Sequence, residues 1–351
     1  MLTDDPNRID ETLDLAEQIE RYPNLRSALG STWIRQQTEI LPELSRYALA
    51  RWLRRRGFVD DLSQLDEVLG DLHHVPGIAD RRRRLRSDPA GFEETLTELW
   101  FAAWLRSHQR SFEWPPQGSD FVISLDPATT LPLEATTPRQ ARWMQDLFER
   151  LHLVALRFGY EVRVDHEAEM LPTGFDPEQV VISTVTDILN TLRTTTGRSK
   201  RRPRFIYKEL ALTITMKPSI DPVILQSSYS GPVSSYWGFE YIVAAARAKA
   251  AQLPRSAPSA LLLGTRQLPD LIWNRFIDTL RRDPTFDQGL EWSRMPAHIT
   301  YVLLFTFNLK SIQPFEAFVL TNPESPFEHP VGLEHFLTTL FPYPLSPTQQ
   351  G

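Results

Sequence analysis

The chain has 351 residues, enough for two average domains or for one large domain with an appendage. Apolar residues make up 41% and charged residues 23%, which argues against wholesale disorder, and the lack of cysteine excludes disulfides, thiolate zinc sites and cysteine nucleophiles. The net charge of −6 argues against a surface that attracts nucleic acid everywhere. No apolar run approaches the roughly 18–20 residues of a membrane span, and residues 1–14 lack the basic start of a signal peptide. We therefore predict a cytoplasmic protein without membrane contact.

The first 85 residues are predicted to form a helical region. Apolar residues recur at helix spacing, as at Ile9, Leu13 and Ala16, and no segment before about residue 110 shows the alternation typical of a strand. We place a domain boundary near residue 85, in a polar and basic stretch. The helical region 1–85 is a candidate for dimerisation into a homodimer, for partner docking or for nucleic-acid contact, and the sequence does not choose among these roles.

A buried helix is predicted after this boundary. Asp88 followed by Pro89 is a favourable helix start. Residues 92–105 are apolar nearly all round, which is typical of a helix buried on every side. Two of its acidic residues, Glu94 and Glu98, lie one turn apart and share a face.

Two strands joined by a tight turn are predicted next. Residues 119–125 and 131–136 have strand patterns, and Asp126-Pro127 between them is typical of a turn. Asp120 and Glu134 share one side of this hairpin if the numbers of paired residues sum to an even value, and lie on opposite sides if the sum is odd. The sequence leaves both registers open. Because an unpaired charge inside an apolar strand is costly, Glu134 is a candidate functional residue.

Helix and strand patterns alternate through the remainder of the chain. Such alternation predicts an α/β fold, with a mixed central β-sheet that carries helices on both faces. We assign residues 86–345 to this α/β domain, which the helical N-terminal region precedes.

The order of helix, strand with aspartate and strand with glutamate resembles the core of the PD-(D/E)XK, or restriction-endonuclease-like, nuclease superfamily. The similar stretch covers residues 90–165, with Ser119-Asp120 at the Pro-Asp position and Glu134-Ala135-Thr136 at the Glu-x-Lys position. The resemblance implies a restriction-endonuclease-like core and Mg²⁺ or Mn²⁺ as cofactor. It also implies Glu98 as the first-helix acid, with Glu94 in reserve, and Asp120, Glu134 and the backbone carbonyl of Ala135 as metal ligands.

The chain departs from this pattern at Thr136, where the family has a lysine that orients or activates the attacking water. Threonine supplies no cation, but some family members recruit a lysine from elsewhere in the chain. Lysine is scarce here, since the chain has only Lys200, Lys208, Lys217, Lys249 and Lys310. We predict Lys249, on a helix before a buried strand, as the relocated catalytic lysine, with Lys208 as the alternative. The competing interpretation of Lys249 is a solvent-facing helix charge.

Arginines are clustered in several short stretches. We predict that two of these stretches hold a nucleic-acid backbone without reading its sequence, and they contain Arg81, Arg82, Arg83, Arg84, Arg201 and Arg202. The competing interpretation is that these charges are solvated helix ends and loops.

These patterns leave three hypotheses about function. The first is a divergent metal-dependent nuclease that hydrolyses phosphodiester bonds, with DNA favoured over RNA as its partner. The second is a catalytically inactive module of the same fold that binds nucleic acid or another protein. The third is a structural protein whose acids form salt bridges with Arg139 or Arg142. A lysine nitrogen close to Asp120 and Glu134 in the folded chain would favour the first hypothesis over the second.

Overall fold

The computed structural model describes most of the chain. The described residues are 15–55, 58–137, 142–166, 175–195, 202–219, 225–229, 236–266, 271–283, 285–307, 316–328, 333 and 336. They form two compact units, one from the described parts of residues 1–62 and 139–232 and the other from those of residues 63–138 and 233–351. The boundary predicted at residue 85 falls inside the second of these units.

The described helices and strands follow one another along the whole chain. The α-helices are α1 (Leu15–Ile19), α2 (Pro23–Leu29), α3 (Ser31–Thr38), α4 (Ala48–Trp52), α5 (Val59–Asp71), α6 (Ile78–Ser87), α7 (Phe92–Ser107), α8 (Arg142–Phe158), α9 (Pro177–Thr195), α10 (Tyr236–Lys249) and α11 (Leu271–Arg282). The strands are β1 (Phe112–Glu113), β2 (Phe121–Ser124), β3 (Thr130–Thr136), β4 (Tyr160–His166), β5 (Arg204–Tyr207), β6 (Leu212–Pro218), β7 (Leu225–Tyr229), β8 (Ser259–Arg266), β9 (Ile299–Phe307) and β10 (Glu316–Thr321).

The N-terminal helices agree with the sequence pattern. Where residues up to 85 are described, they form helices, turns and short 3-10 segments and contribute no strand to either sheet. None of the described helices has both the length and the apolar character needed to cross a bilayer.

A mixed six-stranded sheet organises the unit that contains residues 63–138. Its strand order is β1-β2-β3-β8-β9-β10, with β3, β8 and β9 parallel and the remaining pairs antiparallel. On one face, Leu261 and Leu263 of β8 join the apolar cluster formed with α10 and α11. On the other face, α7 packs against β8 and lies over Gly264. The prediction of a mixed α/β fold is confirmed at this level.

The described strands form two sheets, whereas the sequence analysis expected one. Strands β5, β6, β4 and β7 form a separate four-stranded sheet in that order, and all of them belong to the unit that contains residues 139–232. Helices α8 and α9 supply apolar side chains to the core of this unit, where they meet residues of β4 and β6. Alternating helix and strand patterns do not reveal which strands pair with one another, because pairing depends on contacts distant in sequence.

Helix α7 is buried along most of its length, as its apolar composition predicts, but it begins later than expected. Its first residue is Phe92 rather than Pro89, and Gly91 is the cap. The Asp88 carboxylate still stabilises this end, because it accepts a hydrogen bond of 2.8 Å from the Gly91 amide. This contact holds the chain just before the first turn of α7, which carries Glu94.

The contact between α7 and β8 depends on the missing side chain of Gly264. A Cβ there would lie 2.0 Å from Thr97 Cγ2 and 2.3 Å from Thr97 Oγ1. We expect Gly264→Ala to lower the free energy of unfolding by about 1–3 kcal/mol through overpacking, measured by urea denaturation. Adding Thr97→Ala, which removes both of these atoms, should recover part of the loss. Unchanged stability of Gly264→Ala would contradict this close packing.

Candidate active site

The register of the β2–β3 hairpin places the two predicted acids on one side. Phe121 pairs with Leu133, so paired residue numbers sum to an even value, and the next pair outward is Asp120 with Glu134. The register that the sequence left open is therefore the one that brings the two carboxylates together. Turn residues favour this hairpin, since the Asp126 carboxylate accepts hydrogen bonds from the amides of Ala128 and Thr129.

Asp120 and Glu134 are fixed by reciprocal hydrogen bonds across the hairpin. The Asp120 amide donates to Glu134 Oε1 at 3.0 Å, and the Ala135 amide donates to Asp120 Oδ2 at 3.0 Å. Each carboxylate is thus held by a backbone group of the opposite strand. The Glu134 side chain is fully buried, whereas that of Asp120 is 21% exposed. The pair therefore has a buried member and a member that reaches solvent.

Lys249 lies against both carboxylates. Its Nζ is 3.3 Å from Glu134 Oε2 and 3.8 Å from Asp120 Oδ2, and its side chain is 15% exposed. Lys249 is the last residue of α10, which packs on the same face of β8 that carries Leu261, the residue paired with Glu134. The interpretation of Lys249 as a solvent-facing charge is wrong, because the side chain is mostly buried and ion-paired.

Burial dominates the electrostatics of this cluster. Burial and the neighbouring Asp120 charge raise the pKa of Glu134 to about 8, although Lys249 offsets part of this effect. Burial lowers the pKa of Lys249, but the charges of Asp120, Glu94 and Glu134 together bring it above its ordinary value. The lysine is therefore a stable cation, whereas the charged form of Glu134 is disfavoured by its surroundings.

Glu98, the predicted first-helix acid, is bound by arginines. Its Oε2 accepts hydrogen bonds from Arg81 Nε at 2.8 Å and from Arg84, and its side chain is 1% exposed. Burial, together with the charge of Asp120, raises the pKa of Glu98 despite these two cations. Arg81 also donates to the backbone carbonyl of Asp120 at 3.3 Å, so Glu98 is connected to the acid pair through Arg81. The catalytic role of Glu98 stays a prediction.

Glu94, the reserve acid, has a different partner. The Thr136 hydroxyl donates a hydrogen bond to Glu94 Oε1 at 3.0 Å. The sequence analysis did not anticipate this contact. The alternation of β3 did place Thr136 on the side of Glu134. The sequence does not show, however, that the first turn of α7 lies close enough to Thr136 for a hydrogen bond.

The predicted basic residues differ in their accessibility. Arg81 is buried, and its guanidinium lies 4.7 Å from the Trp114 ring centre, while Arg82 donates to the Leu69 carbonyl at 3.0 Å. Arg83 is exposed and pairs with Asp80, Arg84 is half-buried, and Arg202 is exposed. A buried guanidinium cannot also lie against a phosphate backbone in solvent, so Arg81 leaves the predicted nucleic-acid surface. Arg201 and Arg139 lie outside the described residues, as does the Arg142 side chain.

Asp120 and Glu134 are the candidate ligands for Mg²⁺ or Mn²⁺. Within the described ranges, no group of three or more histidine, cysteine or acidic residues is arranged to hold a metal ion. Asp120 and Glu134 alone still match the one or two carboxylates by which magnesium is usually bound. Glu134 Oε2 is moreover buried, and the Lys249 ammonium lies 3.3 Å from it. The carboxylate oxygens of the pair are therefore suitable ligands for a hard cation. In this structure, the Lys249 ammonium provides the positive charge beside them. For Ala135, the structure records the amide contact to Asp120, and its carbonyl as a ligand stays a prediction.

Comparison with known proteins adds no further information about this site. No protein-family model, curated protein or solved structure matches the chain. Functional inference therefore depends on the arrangement of Asp120, Glu134, Lys249, Glu94 and Thr136.

Proposed function

We propose that this protein is a divergent metal-dependent nuclease of the restriction-endonuclease-like type, which hydrolyses phosphodiester bonds and prefers DNA to RNA. The observation that carries the proposal is the position of Lys249 against Asp120 and Glu134. Two acids on adjacent strands with a lysine beside them are the groups that the resemblance requires, although the lysine comes from α10 instead of position 136. Relocation of the lysine supports an active site over a decayed one.

The acids, the lysine and the exposed arginines would have different roles in hydrolysis. Asp120 and Glu134 would hold Mg²⁺ or Mn²⁺, and this cation would neutralise phosphate charge and acidify a water molecule. The ammonium of Lys249 would orient the attacking water and stabilise the charge that develops on the phosphoryl oxygens. Water forms the new P–O bond, the bond to the leaving oxygen breaks, and that oxygen takes up a proton. Arg83 and Arg202, both exposed, remain candidates for contacts with the nucleic-acid backbone.

A catalytically inactive binding module is the second candidate. It is favoured by the contacts of Lys249 with both acids, since they place a positive charge beside the pair without any metal. In such a protein the cluster would stabilise the fold, and the exposed arginines would provide the binding surface. The two candidates differ in their response to a divalent cation.

Metal-dependent cleavage is the test of the proposal. With Mg²⁺ or Mn²⁺, the purified protein should cleave single- or double-stranded DNA, and EDTA should abolish cleavage. A cation that binds only the folded state should also raise the stability, by about 2.7 kcal/mol at a hundred times its dissociation constant, measured as a rise in melting temperature. Failure to cleave any DNA or RNA, together with an unchanged melting temperature, would contradict the nuclease and favour the binding module.

A further inference from the structure

The hydroxyl of Thr136 has a defined partner although threonine replaces the motif lysine. Thr136 is 4% exposed, and its Oγ1 donates to Glu94 Oε1 at 3.0 Å. Residues two apart on a strand point to the same side, so Thr136 and Glu134 share one side of β3. The hydrogen bond therefore restrains the Glu94 carboxylate next to the strand that carries Glu134.

Glu94 and Glu98 act on different cations. Glu98 is bound by Arg81 and Arg84. Glu94 Oε1 instead accepts the Thr136 hydroxyl, two residues along β3 from Glu134, and Glu134 Oε2 lies 3.3 Å from Lys249 Nζ. Residues two apart on a strand are separated by roughly 6.6 Å, so Glu94 lies in the surroundings of the lysine, where its charge favours the ammonium form. Glu94 and Glu98 thus have different partners.

We propose that Thr136 and Glu94 are positioning residues for Lys249. The Thr136 hydroxyl fixes the Glu94 carboxylate, and Glu94 acts with Asp120 and Glu134 to hold the Lys249 ammonium against the acid pair. Threonine thereby supports indirectly the positive charge that the family's lysine supplies directly. The catalytic consequence rests on the proposed function, but the arrangement itself belongs to the metal-free protein and is tested there first.

The first experiment is a double-mutant cycle between Glu94 and Lys249, followed by urea denaturation in EDTA. In the wild-type background, Glu94→Gln should lower the urea midpoint, because the lysine loses a counter-charge. In the Lys249→Met background, the same change should raise the midpoint, because it removes a carboxylate that then only repels its acidic neighbours. This reversal of sign measures the coupling directly. The same shift in both backgrounds would overturn the proposal.

The second experiment asks whether Thr136 acts through Glu94. Thr136→Val, which removes the donor but keeps the shape, should lower the urea midpoint as Glu94→Gln does, and should add nothing when combined with it. Thr136→Ser keeps the hydroxyl and should behave as wild type. Thr137→Val is the matched control, since Thr137 is also buried and its Oγ1 makes no hydrogen bond within the described residues. A Thr136→Val protein that behaves like the Thr137→Val control would overturn the role of Thr136.

The third experiment measures the catalytic consequence on labelled single- and double-stranded DNA and RNA oligonucleotides. Thr136→Val and Glu94→Gln should each lower kcat roughly tenfold, since small displacements of a catalytic group are costly. The Mg²⁺ concentration for half-maximal rate should change by less than about twofold, and Thr136→Ser should restore kcat. An increased Mg²⁺ requirement with unchanged kcat would assign Glu94 to the metal and overturn the proposal. Absence of cleavage by the wild-type protein would be a failure of the proposed function, and the stability cycle would then decide this inference alone.

Discussion

Lys249→Met is expected to lower the rate of phosphodiester cleavage by about 10²–10⁴-fold, the range typical of a positioned acid–base or charge-stabilising group. The ammonium lies 3.3 Å from Glu134 Oε2 and 3.8 Å from Asp120 Oδ2, so its loss removes the one cation that contacts both acids among the described residues. Methionine retains most of the apolar stem. The rate is measured under single-turnover conditions at saturating Mg²⁺, which separates chemistry from binding.

Lys208→Met serves as the matched control for Lys249→Met. Lys208 was the alternative catalytic lysine, and it is an exposed residue of a 3-10 turn between β5 and β6. Its replacement should leave the rate unchanged. Thr136→Lys, which restores the family's motif, should not raise the rate, because Lys249 already supplies the cation. A large loss in Lys208→Met, or full activity in Lys249→Met, would show that Lys249 is not the catalytic lysine.

Glu134→Gln is expected to abolish cleavage and yet to stabilise the metal-free protein at alkaline pH. Glutamine keeps the oxygen that accepts the Asp120 amide but removes the anionic metal ligand. Burial raises the pKa of Glu134 to about 8, so between its ordinary range and pH 8 the folded protein retains a proton that the unfolded chain releases. The contribution of Glu134 to the free energy of unfolding of the wild type therefore falls as the pH rises through that window.

The difference in the free energy of unfolding between Glu134→Gln and wild type is expected to be largest above pH 8. At pH 8.5 in EDTA, Glu134→Gln should exceed wild type by on the order of 2 kcal/mol, and the two should converge near pH 5. Lys249→Met should show the opposite behaviour, with a loss of about 3 kcal/mol at pH 8.5 that diminishes toward pH 5, because it leaves the acids uncompensated. Urea denaturation at the two pH values measures both effects. If Glu134→Gln were less stable than wild type at pH 8.5, burial would not disfavour the charged form of Glu134.

Local patterns predicted the elements around the site because neighbouring residues dominate their formation. The apolar residues of α7 predicted a buried helix, and the turn at Asp126-Pro127 predicted the hairpin. An acid within the apolar strand β3 identified Glu134 as unusual before its position was known. The scarcity of lysine narrowed the candidates to few residues, among which Lys249 was preferred.

Contacts between residues distant in sequence determined the features that local patterns left open. The register that unites Asp120 with Glu134 depends on one residue of slip between the strands, and the sequence was compatible with either alternative. The sequence also did not show that Glu94 and Glu98 have different partners, because residues one turn apart on a helix differ only in what packs opposite them. The division of the strands into two sheets, instead of one, is another property of pairing at long range.

By itself, the sequence determined the elements and the acidic residues, since these follow from residue type and short-range periodicity. The need for a lysine from outside the motif was implied by the resemblance. Tertiary structure alone decided that α10 ends with Lys249 at the acid pair, that Arg81 and Arg84 bind Glu98, and that Thr136 binds Glu94. The physical reason is that ion pairs and hydrogen bonds act over a few ångströms of space, whereas their partners here are separated by 14 to 129 residues of chain.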